Sequence, residues 1–492
     1  MGNSISKGLT SLLVFLYGLF TVALYGLIAI QKGTFFKKRT ERQNLELQLA
    51  RDRLWNLSKD YAGLSHHFLT LADGFKFHFV SNEAPGAQAA LASDRPLVIF
   101  IHGFPDSWAV WRHIASSSTL QTSANLVAID MPGYGGTQGL DKYSATNLLE
   151  KLTELIIALR TQYGVDDSSQ ANKKRVTIVA HDWGCVLAMR LAAEAPSLAH
   201  RFIFTNGPLR WVILIPFAPH PQPSLARSNI SRMLSSASKM LKTAIAAPLS
   251  AKTPLTQALR TLGPVAHQTL LSGYIFAMQL PPSLVVFCLT GGNYSLMSSI
   301  HKGSHGRGEY TPSDEGTSMA SSMGPSAAEA KTQTSDGESY PSTIDFSHDF
   351  ANIMNQANYY RQGAAVARWH KSAETVANLH SISASHQLRH PSGGTGLLDD
   401  GLPGALQAPA TVFWGQHDVA LSEAVCLDGL ADYLTSNSQI VMLPESGHFT
   451  PIEPESRAAL TKAVEWAISG EEGDIVAKVR ECYPSVTLVA RR

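Results

Sequence analysis

The sequence predicts an α/β fold in which a mostly parallel sheet is interrupted by a long, largely helical insertion. Short apolar runs end in turn residues, and the third and fourth runs are separated by apolar residues at helical spacing. Strand–helix–strand order of this kind favours a parallel sheet with helices on both faces. The alternation stops after residue 206 and resumes near residue 410. This gap predicts a second structural unit inserted between two strands.

Seven apolar runs are expected to form strands. The first alternates apolar and polar residues, as a half-exposed strand does, whereas the others are mostly continuous, as buried strands are. A predicted helix between the third and fourth runs carries apolar residues from Leu148 to Leu159. The predicted strands are residues 75–80, 97–101, 126–130, 176–180 and 202–205 before the insertion, and 410–414 and 439–443 after it.

The insertion contains two polar stretches. Residues 301–347 are rich in Ser, Gly and Thr and poor in apolar residues, a composition that predicts a flexible insert. Residues 381–401 form a shorter stretch of similar character. Residues 270–289 are apolar enough to resemble a membrane span. Gln279 and the two prolines that follow this residue favour a buried helix and its exit instead.

An apolar segment near the N-terminus predicts a membrane anchor. Residues 11–30 carry no charge, and a bilayer-spanning helix needs about 20 such residues. A cleaved signal peptide is the alternative, but its apolar region is usually only about 7–15 residues long. Residues 37–60 alternate charged residues with leucines, which predicts an amphipathic helix on the membrane surface or a charged linker helix.

The side of the membrane is left open by the sequence. An excess of Lys and Arg follows the apolar segment, which favours a single-pass protein of the endoplasmic reticulum with its catalytic domain in the cytosol. Gly2 and Ser6 fit a myristoylation pattern, which favours an interfacial or re-entrant anchor. Three N-x-[ST] tripeptides, beginning at Asn56, Asn229 and Asn293, point instead to the lumen.

Composition excludes several classes of function. A net charge of +1 gives no electrostatic basis for binding nucleic acid, so none is expected as a partner. The four cysteines lie far apart in the sequence, and the 18 histidines form no Cys/His cluster. We therefore expect no metal and no disulfide framework. The oligomeric state is not indicated.

Asp182 lies between an apolar run and a helix-like segment, with small residues on both sides. Strand, tight turn and helix, with Ala180 and Gly184 beside the apex, are typical of the nucleophile elbow of α/β-hydrolases. A carboxylate at the apex suits attack on an sp³ carbon, which forms an alkyl ester that water later cleaves. The alternative is an aspartate that caps the following helix.

Further residues follow predicted strands where a hydrolase needs them. The amides of Phe104 and Trp183 are expected to form an oxyanion hole. Asp418 is expected to orient His448, the general base, and the order nucleophile, acid, histidine fits the fold. His417 competes for the role of base, but it lies in the same loop as the acid. The glycine-rich loop at 130–136 is expected to be structural.

These motifs resemble the epoxide hydrolase branch of the α/β-hydrolase superfamily. The resemblance covers roughly residues 65–206 and 405–470, and the N-terminal anchor is similar to that of membrane-attached animal members. It implies an α/β-hydrolase fold with a mostly helical cap inserted in the core, and no metal or organic cofactor. The motifs are HGFPDSW at 102–108, DMPGYGG at 130–136, HDWG at 181–184, WGQHD at 414–418 and GHF at 447–449.

The resemblance also implies two cap tyrosines that donate hydrogen bonds to the epoxide oxygen. Tyr274 fits the family's Tyr-x-x-x-x-Gln-x-Pro segment, and Tyr360, rather than Tyr359, fits its Asn-aromatic-Tyr-Arg segment. The chain departs from the family where Asn206-Gly-Pro is separated from the Pro-His-Pro at 219–221, and where the serine-rich insert lies between the two tyrosines. Both departures concern the cap, and therefore the shape of the substrate.

The sequence thus divides into five parts. They are an anchor at 1–33, a juxtamembrane amphipathic helix at 34–62, the first part of the core at 63–208, a cap at 209–404 with a low-complexity insert at about 301–347, and the second part of the core at 405–492.

The expected activity is hydrolysis of a lipophilic epoxide to a vicinal diol through an aspartyl alkyl ester. The expected partners are this small molecule and, through the N-terminal helix, a membrane. Two alternatives are a haloalkane or haloacid dehalogenase, which also uses an aspartate nucleophile, and a catalytically silent hydrolase-fold protein that binds lipid. A tyrosine pair favours the epoxide hydrolase, because a dehalogenase needs donors that bind halide.

Overall fold

Strands of the computed structural model form one sheet of nine members within the described residues, which are 2–34, 38–166, 174–208, 225–246, 252–350, 352–387, 402 and 404–492. Its spatial order is β1-β2-β4-β3-β5-β6-β7-β8-β9. The strands are β1 Ser65–Thr70, β2 Lys76–Ser81, β3 Leu97–Ile101, β4 Asn125–Ile129, β5 Val176–His181, β6 Arg201–Thr205, β7 Ala410–Gly415, β8 Gln439–Leu443 and β9 Thr487–Arg491.

The central strands β4, β3, β5, β6, β7 and β8 all pair in parallel, whereas β1, β2 and β9 pair antiparallel. Every residue of the central strands is buried, so both faces of the parallel sheet are covered. Parallel strands end at one common edge. The segments that follow β3, β5, β7 and β8 are therefore brought together there.

All seven predicted strands are present, and the sequence missed two, β1 and β9. Both missed strands are antiparallel and lie at the two ends of the sheet order. The prediction of a half-exposed first strand is wrong, because β2 is buried from Phe77 to Ser81. The rings of Phe68 and Tyr340 both contact the ring of His78, at 5.2 and 5.8 Å between ring centroids, and help to cover this strand.

Helices surround the sheet, and those from α8 to α14 lie between β6 and β7 in the chain. They form the predicted helical insertion. The helices are α1 Gly2–Gln31, α2 Glu41–Trp55, α3 Gln88–Ala92, α4 Arg112–Ala115, α5 Ser118–Ser123, α6 Ala145–Gln162, α7 Trp183–Glu194, α8 Leu225–Ala246, α9 Lys252–Leu271, α10 Gly273–Ala277, α11 Pro282–Ser304, α12 Pro312–Met323, α13 Ile353–Arg361, α14 Ala373–Gln387, α15 Glu423–Cys426, α16 Pro454–Ile468 and α17 Ile475–Arg480.

Residues 301–347 are folded and packed, which corrects the prediction of a flexible insert. All residues of α12 from Gly316 to Met323 are buried, and this helix packs along α2. Its small side chains let the two helices approach closely, and its hydroxyls are satisfied by hydrogen bonds such as Ser322 Oγ to His301 Nε2 at 2.8 Å. A low apolar content was misleading because small polar residues can be buried when they are paired.

The helix predicted for residues 34–62 is α2, and one side of this helix packs on the protein. It buries Leu47, Leu54 and Trp55 against the body of the protein. The Trp55 indole donates to the carbonyl oxygen of Ala320 in α12 over 2.8 Å. The amphipathic pattern of α2 therefore arises because one side of this helix is buried against the insertion.

Helix α1 contains the segment Ser11–Gln31. Among the described residues, this is a helical segment that is long enough and apolar enough to cross a membrane. Its middle contacts the insertion. The Tyr17 hydroxyl donates to the carbonyl oxygen of Thr269 over 3.0 Å, and its ring packs edge-on against Phe276, with the ring centroids 4.8 Å apart. Residues 270–289 are divided among the end of α9, α10 and the start of α11, in agreement with a cap helix and its exit.

Some sequence features lie outside the described residues. They are the apolar run at 211–217, the Pro-His-Pro at 219–221 and most of the glycine-rich stretch at 388–401. The side chains of residues 1–7, which include the myristoylation pattern, are also outside this description.

Candidate active site

Asp182 is the apex of a sharp turn between β5 and α7. Its backbone has φ 50° and ψ −116°, a conformation that side-chain-bearing residues rarely adopt. Gly184 makes the turn possible, because a Cβ there would lie 2.4 Å from the carbonyl oxygen of Ile101. The Asp182 side chain makes no hydrogen bond that caps α7. The alternative of a capping aspartate is therefore wrong.

The loop after β3 closes over the Asp182 carboxylate. The Phe104 amide donates to Asp182 Oδ1 over 2.8 Å. A Cβ on Gly103 would lie 2.4 Å from the same oxygen and 2.7 Å from the Trp183 amide nitrogen, so only glycine permits this approach. The Phe104 amide thus binds an oxygen of the nucleophile, and the Trp183 amide borders the same glycine.

His448 lies between two carboxylates. Its Nδ1 is 2.8 Å from Asp418 Oδ2, and its Nε2 is 3.6 Å from Asp182 Oδ2. All three side chains are buried. His417, the competing histidine, is exposed. The order and the geometry both make His448 the residue that faces the nucleophile.

Asp418 is held by four donors. Its Oδ1 accepts from the amides of Ala420 and Leu421 over 2.7 and 2.8 Å. Its Oδ2 accepts from Asn206 Nδ2 over 2.7 Å, in addition to the contact with His448. The carboxylate is thus fixed in position and its charge is stabilised. Asn206 has no role in the sequence prediction, and only its place at the end of β6 gave a signal.

The three groups form a coupled set of charges. Burial alone would raise the pKa of Asp182, but hydrogen bonding and the charge of His448 hold this pKa below its usual value. Burial would likewise lower the pKa of His448, but the charge of Asp418 and the contacts with both carboxylates raise it to about 10. The resting site therefore holds a protonated imidazole between two carboxylates.

Tyr274 in α10 and Tyr360 in α13 pack edge to face against each other. Their ring centroids are 5.7 Å apart at 82°. Tyr360 also packs edge-on against Trp183 and Phe104, with centroids 4.9 and 5.6 Å apart. Burial, together with the charge of Asp182, raises the pKa of both phenols. Both tyrosines are therefore neutral hydrogen-bond donors near the nucleophile.

Tyr359 points to a different part of the core. Its hydroxyl donates to the carbonyl oxygen of Pro132 over 2.8 Å, and its ring contacts Tyr134 and Tyr143. Burial raises its pKa. This tyrosine has its polar group satisfied by the loop at 130–136 and stabilises that loop.

Asp106 in the loop after β3 is a buried acid that the sequence prediction did not single out. It accepts a hydrogen bond from Ser321 Oγ of α12 over 3.1 Å. Burial raises its pKa to about 6. The contact connects the insertion to the site. A single serine in a serine-rich tract gave no signal of this role.

The loop at 130–136 is held by its own acid. Asp130 accepts from the amides of Trp108 and Gly136 over 2.8 and 2.9 Å, and His78 Nδ1 lies 2.7 Å from Asp130 Oδ2. These contacts agree with a structural role. Among the described residues, no three His, Cys, Asp or Glu side chains come together as a metal-ligand set.

The structure thus gathers every residue predicted for the site into one place. Asp182, His448 and Asp418 form a line, and the remaining predicted residues lie around the nucleophile. Those residues are Phe104, Trp183, Tyr274 and Tyr360. Asn206, His181 and Asp106 complete the surroundings. The His181 ring centroid lies 5.1 Å from that of His448.

Comparison with known proteins points to one superfamily. A model described as the alpha/beta hydrolase family matches residues 98–302. Epoxide hydrolase 3 of Mus musculus is 30% identical over 175 residues, which are 33% of this chain and 41% of that protein. Epoxide hydrolase B of Mycobacterium tuberculosis (strain ATCC 25618 / H37Rv) is 30% identical over 155 residues, 31% of this chain and 39% of that protein. The chain spans about two fifths of the length of these curated relatives.

Solved structures align over most of the chain at low identity. An epoxide hydrolase from Bacillus megaterium gives a TM-score of 0.40 at 18% identity and covers 82% of this chain and 99% of that one. The Cif epoxide hydrolase from Acinetobacter nosocomialis gives 0.45 at 16% identity and covers 87% and 98%. The sheet order, the elbow and the family match confirm that this chain has the α/β-hydrolase fold, and its similarity over the aligned part is to epoxide hydrolases.

Proposed function

We propose that this chain is an epoxide hydrolase, a hydrolase acting on ether bonds, that converts a lipophilic epoxide to a vicinal diol. The observation that carries the proposal is the Asp182 carboxylate at the nucleophile elbow. The Phe104 amide binds its Oδ1, His448 lies near its Oδ2, and the edge-to-face pair of Tyr274 and Tyr360 lies nearby. The names of the aligned relatives support the same activity.

In the first step, an oxygen of Asp182 attacks a ring carbon of the epoxide from behind and the carbon–oxygen bond of the ring breaks. Tyr274 and Tyr360 donate hydrogen bonds to the oxygen as it gains negative charge. One phenol gives its proton to this oxygen, because an alkoxide is the stronger base. The product of this step is a β-hydroxyalkyl ester on Asp182.

Ester formation removes the negative charge of Asp182. The pKa of His448 then falls, because one of the two carboxylates that raise it is gone. His448 gives up its proton, which restores the phenol, and becomes a neutral base oriented by Asp418. The resting ion pair thus keeps the base inactive until the ester has formed.

In the second step, His448 takes a proton from water, and the hydroxide attacks the carbonyl carbon of the ester. The amides of Phe104 and Trp183 stabilise the oxyanion. The bond between this carbon and the alkyl oxygen breaks, and that oxygen takes the proton from His448. The diol leaves, and the new carboxylic acid protonates His448, which restores the resting state.

The surroundings favour an apolar substrate and a membrane location. The walls beside Asp182 are aromatic, formed by Phe104, Trp183 and Tyr360. Helix α1 packs on the insertion that carries Tyr274 and has the length and composition of a membrane anchor. We therefore include fatty-acid epoxides among the expected substrates. We infer attachment to the endoplasmic reticulum through α1 with a cytosolic catalytic domain.

A single turnover in ¹⁸O-labelled water tests the ester. With enzyme in excess over epoxide, the first diol takes its new oxygen from Asp182 and carries no label, and the label appears in the Asp182 carboxylate. A fully labelled first diol would mean direct attack by water. Asp182→Ala should abolish turnover, whereas Asp141→Ala, at an exposed position, should keep it.

Replacing both cap tyrosines distinguishes the alternatives. Tyr274→Phe/Tyr360→Phe should abolish ring opening, because the leaving oxygen loses both donors. A dehalogenase would keep its release of halide in the same variant. A protein that only binds lipid would retain a radiolabelled epoxide unchanged in the wild type. Either result would contradict the proposed activity.

A further inference from the structure

The insertion begins within a long segment that contains no acidic residue. Between residues 195 and 308 there are ten Lys and Arg and neither Asp nor Glu, although the whole chain has a net charge of only +1. Helices α8, α9, α10 and α11 lie within this segment. Because this segment has no acids of its own, it carries a net positive charge.

Helix α8 exposes a row of large apolar side chains. Leu234, Leu241 and Ile245 are seven and four residues apart, which places them on one side of the helix. All three are exposed, Ile245 to 78%. The buried positions Ile230, Ala237 and Ala244 lie directly beside this row, on the same half of the helix. The protein therefore covers only part of the apolar side of α8, and the row of Leu234, Leu241 and Ile245 is the exposed part of that side.

Helix α9, which packs against α8, exposes a second row. Leu255, Leu259 and Leu270 share one side of this helix, and Leu259 and Leu270 are 63% and 69% exposed. Gln268 on the opposite side is buried, as is Ala258 at one edge of the row. Two packed helices therefore each present leucines or isoleucine to the surroundings.

Basic side chains accompany the two rows. Lys239 and Lys242 on α8, and Lys252 and Arg260 on α9, are exposed. None of these four forms an ion pair with any other described residue. An amphipathic helix with an apolar side, flanking Lys and Arg and no acids is typical of a segment that lies in the interface of an anionic membrane.

The two rows are continuous with the apolar N-terminal helix. Tyr17 of α1 bonds to the carbonyl oxygen of Thr269, the residue beside the exposed Leu270. The lipid-compatible surface of α1 and the leucines of α9 therefore meet. A soluble partner would have to cover α1 as well, whereas a bilayer covers both at once.

We propose that α8 and α9, together with α1, lie on an anionic phospholipid bilayer. The leucine rows enter the upper acyl region, and the four basic side chains reach the lipid phosphates and carboxylates. We call these helices the α8–α9 face. A second copy of the chain is disfavoured as the occupant, because two such faces, both basic and free of acids, repel each other. The proposal is independent of the catalytic activity.

Environment-sensitive labels on the full-length protein in vesicles test the placement. A nitrobenzoxadiazole fluorophore is attached to cysteine in Leu234→Cys, Leu259→Cys or Leu488→Cys. The partly exposed Cys288 and Cys482 are replaced by Ser in all variants. Leu488 in β9 is exposed far along the sheet from the insertion and serves as the matched control. Vesicles are phosphatidylcholine with or without phosphatidylserine, and they carry lipids with a quencher in the upper acyl chain.

The labels at 234 and 259 should lose about half or more of their fluorescence in vesicles that contain phosphatidylserine, as expected for side chains at the acyl boundary. The label at 488 should be little affected. Lys239→Glu/Lys242→Glu should reduce the quenching at 259. Lys142→Glu/Arg480→Glu, at two exposed positions elsewhere, should leave it unchanged.

Three results would overturn the proposal. Quenching at 234 and 259 that does not exceed quenching at 488 would exclude lipid contact. Equal quenching with and without phosphatidylserine would exclude a role for the basic residues. A third result would be that the labels are shielded from water in detergent solution and that the protein has twice the mass of one chain. This result would show that a second copy covers the α8–α9 face.

Discussion

The side-chain amide of Asn206 donates to Asp418 Oδ2 over 2.7 Å, and the same oxygen lies 2.8 Å from His448 Nδ1. Asn206, which follows β6 shortly before the insertion, thus holds the acid that orients the base. Asn206 has φ 48°, a conformation that asparagine tolerates better than most residues. Asparagine at this position therefore satisfies two requirements, the backbone conformation of the turn and the hydrogen bond to Asp418.

Replacing Asn206 by Asp keeps the shape and puts a carboxylate against Asp418. We expect kcat to fall by roughly 10- to 100-fold, because a buried acceptor loses its donor and meets a like charge. KM should change little, since the Asn206 side chain contacts Asp418 and the backbone of Gly415. Steady-state kinetics on a soluble epoxide measure both values. Asn437→Asp, at an exposed position with φ 60°, is the control. A similar loss in both variants would contradict the role.

The two adjacent tyrosines should respond differently to loss of the hydroxyl. Tyr360→Phe should abolish most of the ring opening and leave the stability nearly unchanged. Tyr359→Phe should lower the free energy of unfolding by about 1 kcal/mol, because the buried carbonyl of Pro132 loses its donor. Ring opening should persist in this variant. Single-turnover alkylation and chemical denaturation measure the two effects. The assignment of the donor is wrong if the two variants exchange their phenotypes.

His448 should make stability depend on pH above neutrality. Its pKa is about 10 in the folded protein and about 6.5 in an unfolded chain. Its contribution is therefore fully present below about pH 6.5 and is lost as the pH rises towards 10. Asp182→Asn removes one carboxylate and should lower this pKa. NMR of the histidine Cε1 protons as a function of pH measures it.

His181 provides an internal control in the same titration. Burial lowers its pKa to about 4, so it should stay neutral across the range in which His448 titrates. An unchanged His448 titration in Asp182→Asn would show that the two residues do not interact.

Enlarging Gly18 in α1 should disturb the site through α10. A Cβ at this position would lie 2.6 Å from the carbonyl oxygen of Phe276, two residues from Tyr274. We expect Gly18→Leu to slow alkylation by roughly tenfold or more, because misplacing a donor by about 1 Å costs that much or more. Hydrolysis of the ester depends on His448 and should keep its rate.

Gly26→Leu is the matched control for this prediction. Gly26 lies in the same helix, and nothing is within 4 Å of the Cβ that would be added. Stopped-flow fluorescence separates alkylation from hydrolysis in both variants. Equal effects of the two substitutions would mean that α1 acts only as an anchor.

Periodicity and motif order were sufficient to predict the core. Six of the seven predicted strands carry mostly continuous apolar runs because they are buried on both faces, and such runs are visible in a sequence. The strands β1 and β9 were missed because antiparallel edge strands need little apolar surface; β9 is mostly exposed. The residues of the site follow strand ends, and their order along the chain is fixed by the fold.

The contacts between the insertion and the core could not be predicted in this way. Ser321 bonds to Asp106, and Ala320 accepts from Trp55, but each lies in a tract of small residues without apolar periodicity. Burial in α12 is determined by partners far away in the sequence. Composition reports the average polarity of a segment and carries no information about which hydroxyls find acceptors.

The indole of Trp55 and its carbonyl partner at Ala320 are separated by 265 positions. During synthesis at about 5–20 residues per second, α2 leaves the ribosome on the order of tens of seconds before the helix that receives its apolar side. Until then, the apolar side of α2 is exposed to water unless another protein covers it. A nascent chain of this protein should therefore recruit chaperones early, and release from them should coincide with emergence of the segment around residue 320.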